Sequence, residues 1–409
     1  MTRTERQKLS IKKWKEAGCR SSIVAATGTG KTRIALMTIG LLLPKNPQIK
    51  VRIIVPTKVL KDQWETNISE FQLEGDIKVF VLNSAAKKPF SCDFLIVDEL
   101  HRSNSLTFRE LFNQCHPAMI MGLTATYERL DGFEKEVVDH YCPVCDTITI
   151  EEATHNGWLS PYREYKVMLD VDLREYNNYN REFLQHFAFF DFNFNDAMAA
   201  ATNVFKQQQI TRHTGCELKE VKIHAYGFIR ALKARKAFIA NHPKKIEIAK
   251  KIIEARKDKK IITFNTSIDQ CHAYGEGYIV SSKQTKKKNQ AVLEEFARCN
   301  SGVIHSSKML IEGLDCPGLS VAIIAGFTSS KTARIQEVGR CIRKEEGKQA
   351  EIFTLVIRGT VEEQWYRKAT EDMSYIEINE DELEQVLSAG EVDKKEQKQD
   401  KVFNDLLRI

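Results

Sequence analysis

Ile23-Val24-Ala25-Ala26-Thr27-Gly28-Thr29-Gly30-Lys31-Thr32 decides the reading of this chain: an apolar run breaks into a Gly/Thr turn that ends in Lys-Thr. Its composition predicts a buried strand, a loop with little side-chain bulk, and a helix starting at Thr32-Arg33-Ile34-Ala35-Leu36. Such a loop lets successive backbone N–H groups curl around a polyphosphate, with the positive end of the helix behind them. Thr27, Gly28, Thr29 and Gly30 are the candidate cradle. Lys31 would reach the outer phosphates, and the Thr32 hydroxyl would ligate Mg²⁺. The usual pattern has glycine where this chain has Ala25, a mild departure because alanine is also small and Gly28 still offers positive φ.

Downstream, Val51-Arg52-Ile53-Ile54-Val55-Pro56-Thr57 is a short strand ended by proline, and a second strand over 77–82 runs into Asn83. Phe94-Leu95-Ile96-Val97 leads into Asp98-Glu99-Leu100-His101. Two carboxylates at the C-terminal end of a buried strand suit the neighbour of a phosphate loop in a parallel sheet. Asp98 would hold Mg²⁺ through its waters, and Glu99 would deprotonate the water that attacks the γ-phosphate. The strand over 119–123 ends in Thr124-Ala125-Thr126. Upstream, the stretch 4–17 patterns as an amphipathic helix with Leu9, Ile11 and Trp14 inward. Gln7 lies in it and either grips an adenine edge or is simply solvated.

Beyond a crossing segment over 151–162, the region 172–256 has few glycines or prolines and reads as mainly helical. Its aromatic run, Phe183, Phe187, Phe189, Phe190, Phe192 and Phe194, is either a base-stacking surface or a small helical core; low local positive charge favours the core. Arg230, Lys233, Arg235, Lys236, Lys244 and Lys245 form a basic stretch, a solvated face or a phosphate-tracking surface. A second strand–helix series starts at 260–264, with Thr266 and Ser267 at its first strand end, then Ser306, Gly313-Leu314-Asp315 and the strand 321–325. Gln336-Glu337-Val338-Gly339-Arg340-Cys341-Ile342-Arg343 opens a helix, with Gln336, Arg340 and Arg343 on one face.

These motifs, in this order, resemble superfamily 2 helicases and translocases of the DExH kind. Gly122 to Gly132 is similar to the DNA-directed branch that includes XPB and phage branch-migration helicases. The resemblance covers roughly Gln7 to Arg343. It implies an α/β fold of two RecA-like doubly wound parallel-sheet lobes with a mainly helical insert between them. The expected boundaries are 1–162, 163–256, 257–370 and a charged tail, 371–409. It further implies ATP and Mg²⁺ bound between the lobes, with Gln7 on adenine, Gly313 and Asp315 on the nucleotide, and Gln336, Arg340 and Arg343 on the γ-phosphate. Thr57, Asn83, Thr266 and Ser306 would contact the nucleic-acid backbone, joined by Lys233, Arg235 and Lys236. His101, Thr124 and Thr126 would couple the two sites. The implied partner is DNA, single-stranded, forked or branched; a clamp without unwinding, a restriction or defence motor and an RNA helicase are the alternatives.

Composition agrees. A chain of 409 residues is too long for one ordinary core. With Lys+Arg 61 against Asp+Glu 55, the net charge of +6 permits a polyanionic partner without requiring one. No apolar run is long enough to span a bilayer, so no membrane partner is expected. Ten scattered cysteines suggest reduced thiols and a cytoplasmic setting, bacterial or phage-infected, nuclear if the source is eukaryotic. Cys142 and Cys145, with His140 and His155 nearby, invite a zinc site, but one Cys-x-x-Cys pair alone reads better as reduced thiols on a strand. The tail, with Leu383, Val386 and Leu387 hinting at a helix, reads as a solvated or protein-binding extension.

Overall fold

The structure is a computed structural model that describes residues 1–85, 87, 89–102, 110–111, 114–126, 139–281, 283–307, 316–370, 373–389 and 397–398. Two sheets organise these residues. The first runs in the order β3-β2-β4-β5-β1-β6, built from β1 (Arg20–Ala25), β2 (Val51–Val55), β3 (Ile77–Val81), β4 (Phe94–Asp98), β5 (Met119–Thr124) and β6 (Val144–Ile148). All of its pairings are parallel. The central strands are covered by helices on both faces, so β2 and β4 are buried at every position and read as continuous apolar runs rather than alternating ones. With every strand pointing the same way, the turns after β1, β4 and β5 share one edge of the sheet. Those turns carry the phosphate loop, Asp98-Glu99 and Thr124.

The second sheet has the order β14-β13-β7-β12-β11-β8-β10-β9. Its strands are β7 (Tyr162–Leu169), β8 (Lys260–Asn265), β9 (Tyr278–Val280), β10 (Gly302–Ser307), β11 (Leu319–Ile324), β12 (Ala350–Ile357), β13 (Ser374–Ile378) and the short β14 (Gln397–Lys398). All pairings are parallel except β13 with β14. The two doubly wound sheets are those expected from the sequence, but the boundaries need redrawing. Residues 162–169, assigned from sequence to the end of the first lobe and the helical region, form the strand between β12 and β13. The chain thus enters the second sheet before it makes the helical unit. Part of the expected solvated tail is equally structural: β13 pairs with β7, and the helix Glu380–Ala389 buries Leu383 and Val386 in the core of the second lobe. Residues 401–409 of the tail lie outside the described part.

The helical unit comprises Arg174–Ala188, Phe194–Thr202, Val204–Thr214 and Leu218–Asn241. Phe183, Phe187 and Phe190 close on Phe228, Val221, Ala225 and Ile210 as its own small core, the reading that low positive charge favoured. Phe192 and Phe194 stay about half exposed at its rim. Cys142 is buried, and Cys145 lies in β6 with its thiol directed at the Ser22 carbonyl. Among the described residues no His/Cys/Asp/Glu cluster could hold a metal ion, and no helix is long and apolar enough to cross a membrane.

Candidate nucleotide site between the lobes

The loop after β1 takes the conformation its glycines permit. Gly28 and Gly30 have φ of +86° and +93°, and Gly30 caps the helix Lys31–Leu42 without a side-chain hydrogen bond. The first backbone N–H groups of that helix are therefore left to an anion. Thr27 and Thr32 are half-buried, whereas Thr29 turns its hydroxyl inward to the Ala26 carbonyl, 2.7 Å away. The Lys31 ammonium lies 3.4 Å from the Ala25 carbonyl and 3.7 Å from Glu99 Oε1, so it spans the loop and the carboxylate beyond β4.

Asp98 is buried, with Oδ2 accepting from the Trp64 indole at 2.8 Å and Oδ1 from the Glu99 N–H at 3.0 Å. Burial, then the neighbouring Glu99 charge, pushes its carboxyl up to about 6. A carboxylate whose ionised form is disfavoured this way fits a cation, and the Thr32 hydroxyl supplies a second hard oxygen donor. Glu99 holds φ +50°, a left-handed conformation uncommon outside glycine and often retained at functional positions. It turns the side chain back toward Lys31.

A polar chain leads away from Glu99. His101 Nδ1 lies 3.4 Å from Glu99 Oε2 and 3.0 Å from Thr124 Oγ1. The Thr124 hydroxyl donates to the Thr126 carbonyl at 2.6 Å, so His101 Nδ1 is the donor toward Thr124. The three residues expected to couple the sites thus touch in sequence.

Gln7 is buried against the loop, and its Nε2 donates to the Thr29 carbonyl at 3.0 Å. Its Oε1 is buried without a hydrogen-bond partner, the acceptor an adenine amino group requires. This favours the gripping role over a solvated glutamine. Replacing Gln7 with alanine is expected to raise the KM for ATP about 3- to 10-fold while changing that for GTP much less. Equal effects on both nucleotides would return Gln7 to loop support. Two neighbours escaped the sequence reading. Arg3 donates to the Gly28 and Thr29 carbonyls at 2.6 and 3.1 Å. Arg6 is buried and paired to Asp146 and Glu152, both at 2.5 Å, which fixes the helix Arg3–Glu16 to β6 and the segment after it. Only the signs of charges 140 residues apart hinted at that pair.

The second lobe reaches the same loop. A Cβ on Gly339 would fall 2.6 Å from Thr27 Cβ, and one on Gly28 would meet Leu159 at 3.0 Å and Arg343 Cγ at 3.8 Å. The carrying helix differs from expectation: it runs Lys331–Cys341, capped by the Ser330 side chain, so Gln336 lies inside it and Arg343 beyond its end. Arg343 does not share a helical face with Gln336 and Arg340. Its backbone bridges Leu159, and Ser160 Oγ donates to its carbonyl at 3.0 Å, tying the inter-lobe crossing segment to the loop's partner. Arg340 is buried, as is Glu337 one turn earlier. Burial raises Glu337 to about 7, with Arg334 and Arg340 pulling the other way. Arg334 itself is anchored to Glu164 of β7 and to Thr354 of β12, which fixes the helix to the sheet.

The expected nucleic-acid residues fare unequally. Asn83 is exposed, and Thr57 and Thr266 are half-buried at strand ends, where Thr57 also caps the helix Lys58–Glu70. Ser306, in β10, is 3% exposed, so its hydroxyl is not presented outward. Arg235 is buried, its guanidinium 3.8 Å over the Phe183 ring and bonded to Asn180. Lys245 is wholly buried on Glu362 and the Ala325 carbonyl. Neither can track phosphates; helical neighbours of exposed cations, they point inward. Lys233 and Lys236 are exposed. Gly313 and Asp315 lie outside the described residues.

Residues 1–91 and 81–129 match the family model "Type III restriction enzyme, res subunit", and 244–345 match "Helicase conserved C-terminal domain". The chain is 25% identical to the DNA 3'-5' translocase XPB2 of Sulfurisphaera tokodaii over 88% of its own length and 83% of the relative's. In fold it is similar to the Pyrococcus furiosus Hef helicase domain, with TM-score 0.53 and 16% identity over 88% of this chain and 96% of that one. Dbp5 of S. cerevisiae, solved with RNA and ADP BeF3, gives TM-score 0.58 and 11% identity over 94% and 91%. At those identities the structures speak to the fold alone.

Proposed function

We infer, for a chain that is an ATP-hydrolysing helicase of superfamily 2 resembling the XPB-like group, that it moves along DNA and separates or migrates strands at forks and branched junctions. The observation that carries this reading is the contact of Gly339 and Arg343 with the phosphate loop, because a nucleotide on that loop is then enclosed by residues of both sheets. Turnover must loosen and remake that closure, and strand-binding turns on both lobes convert the cycle into movement. Lys31 and the loop amides would bind the phosphates, and Thr32 with Asp98 would hold Mg²⁺, which when bound would neutralise phosphate charge. Glu99 takes the proton of the attacking water. Arg340, with Arg343 beside it, meets the charge that develops on the γ-phosphate. His101, Thr124 and Thr126 link Glu99 to the end of β5, which gives occupancy of the site a path to the sheet edge.

DNA rather than RNA is supported by the named activity of the S. tokodaii relative and by Leu100-His101 after the acidic pair. A motor subunit of a restriction assembly is a second reading, favoured by the match over residues 1–129. The test is an ATPase assay with single-stranded, duplex, forked and four-way DNA and with RNA, paired with strand displacement on the fork. Forked or four-way DNA is expected to stimulate most, with strand release. Stronger stimulation by RNA than by any DNA overturns the substrate, and hydrolysis on DNA without displacement or branch migration makes the protein a clamp.

A further inference from the structure

The structure redraws the basic stretch. In the helix Leu218–Asn241 the residues Val221, Ala225, Phe228, Ala231, Leu232 and Arg235 face the core of the helical unit. On the opposite face, Lys219, Ile223, Tyr226, Arg230 and Lys233 recur at steps of four and three and are all exposed. Ile223 and Tyr226 are 55% and 57% exposed, and the Arg230 side chain is 72% exposed although it touches Glu182 at 3.5 Å. Over about 21 Å of helix, a cation, two apolar groups and two further cations thus form one stripe.

Ile223 and Tyr226 lie one helical turn apart between the cations, so the basic face also carries an exposed apolar and aromatic segment. Cations alone would suit any phosphate backbone. A tyrosine ring set among them suits an unpaired base, since duplex bases keep their faces stacked inside. We propose that the Lys219–Lys233 face of this helix is a binding surface for single-stranded nucleic acid, with Tyr226 stacking on a base, Ile223 packing beside it, and Lys219, Arg230 and Lys233 contacting the flanking phosphates. The proposal rests on the reading of the chain as a nucleic-acid motor, and it assigns the helical unit the displaced or tracked single strand. Glu182, Glu217 and Glu220 lie near the stripe and temper its charge, so stacking rather than charge density would carry the preference.

The test is fluorescence anisotropy of the full chain with a labelled single-stranded oligonucleotide and a blunt duplex of equal length, over a salt series. Tyr226→Ala is expected to weaken single-strand binding about tenfold and leave the duplex unchanged, whereas Tyr226→Phe keeps wild-type affinity for both. Arg230→Gln is expected to reduce the single-strand salt slope by about 0.7, the amount for one phosphate contact, and Tyr226→Ala to leave that slope unchanged. Thermal melting of each variant verifies that the helical unit is folded; a Tyr226→Ala variant that melts early is replaced by Tyr226→Ser with Tyr226→Phe as reference. Equal losses on single strand and duplex, or none on either, overturn the proposal. ATPase stimulation by DNA separates the two failures: if wild type and Tyr226→Ala are stimulated alike with unchanged affinity, the motor reading stands and only this surface falls.

Discussion

Glu99→Gln is expected to lower ATP turnover by about 10²- to 10⁴-fold while ATP still binds. The argument is geometric. Glu99 is turned by its positive φ toward Lys31, 3.7 Å away, and its other oxygen faces His101 at 3.4 Å. Glutamine keeps the shape and can still occupy the place between them, but its amide cannot accept the proton of the attacking water. Binding is expected to hold or tighten, because the change removes a negative charge facing the phosphates. Single-turnover hydrolysis and equilibrium binding of a fluorescent ATP analogue separate the two effects. Near-normal DNA-stimulated turnover in Glu99→Gln would move the base elsewhere.

Arg340→Ala is the second large effect, a loss of roughly 10³-fold in turnover with DNA affinity retained. Arg340 follows Gly339, whose backbone abuts Thr27, on a helix that Arg334 anchors to Glu164 and Thr354, so the residue next to it in the chain is fixed against the phosphate loop. In the proposed role Arg340 would act only as charge builds on the γ-phosphate, so ground-state nucleotide binding should shift little and kcat should fall. Arg343 differs in kind. Its backbone bridges Leu159 and its carbonyl receives Ser160 Oγ, and those contacts survive truncation of the side chain. DNA affinity and ATPase stimulation measured side by side decide the matter. If Arg340→Ala loses DNA binding while basal turnover persists, Arg340 belongs to the strand-binding surface.

Much of the nucleotide site was legible along the chain because its chemistry is local. A glycine that must adopt positive φ, a lysine at the first helical position, and two carboxylates at the end of an apolar run each act within a few residues of their neighbours. Strand after strand in the same direction then forces their turns to one edge. The closure of the second lobe could be expected only through family likeness, and its detail departed from helical spacing: Arg343 leaves the helix because its backbone pairs with Leu159 instead. The place of residues 162–169 was hidden for a related reason. An apolar strand does not state its partner, and here the partners are 350–357 and 376–378.

The basic stretch marks the limit most clearly. Periodicity of 3.6 places Arg235 and Lys245 on definite helical faces, but which face turns inward is set by distant groups: Phe183 and Asn180 under Arg235, Glu362 and Ala325 around Lys245. Sequence by itself determined the doubly wound α/β class and the glycine turn after the first strand, because strand–helix alternation and short-range spacing suffice for them. Tertiary structure alone decided which cations are buried and which, with Tyr226, face solvent, because burial is a property of the neighbours that folding brings together.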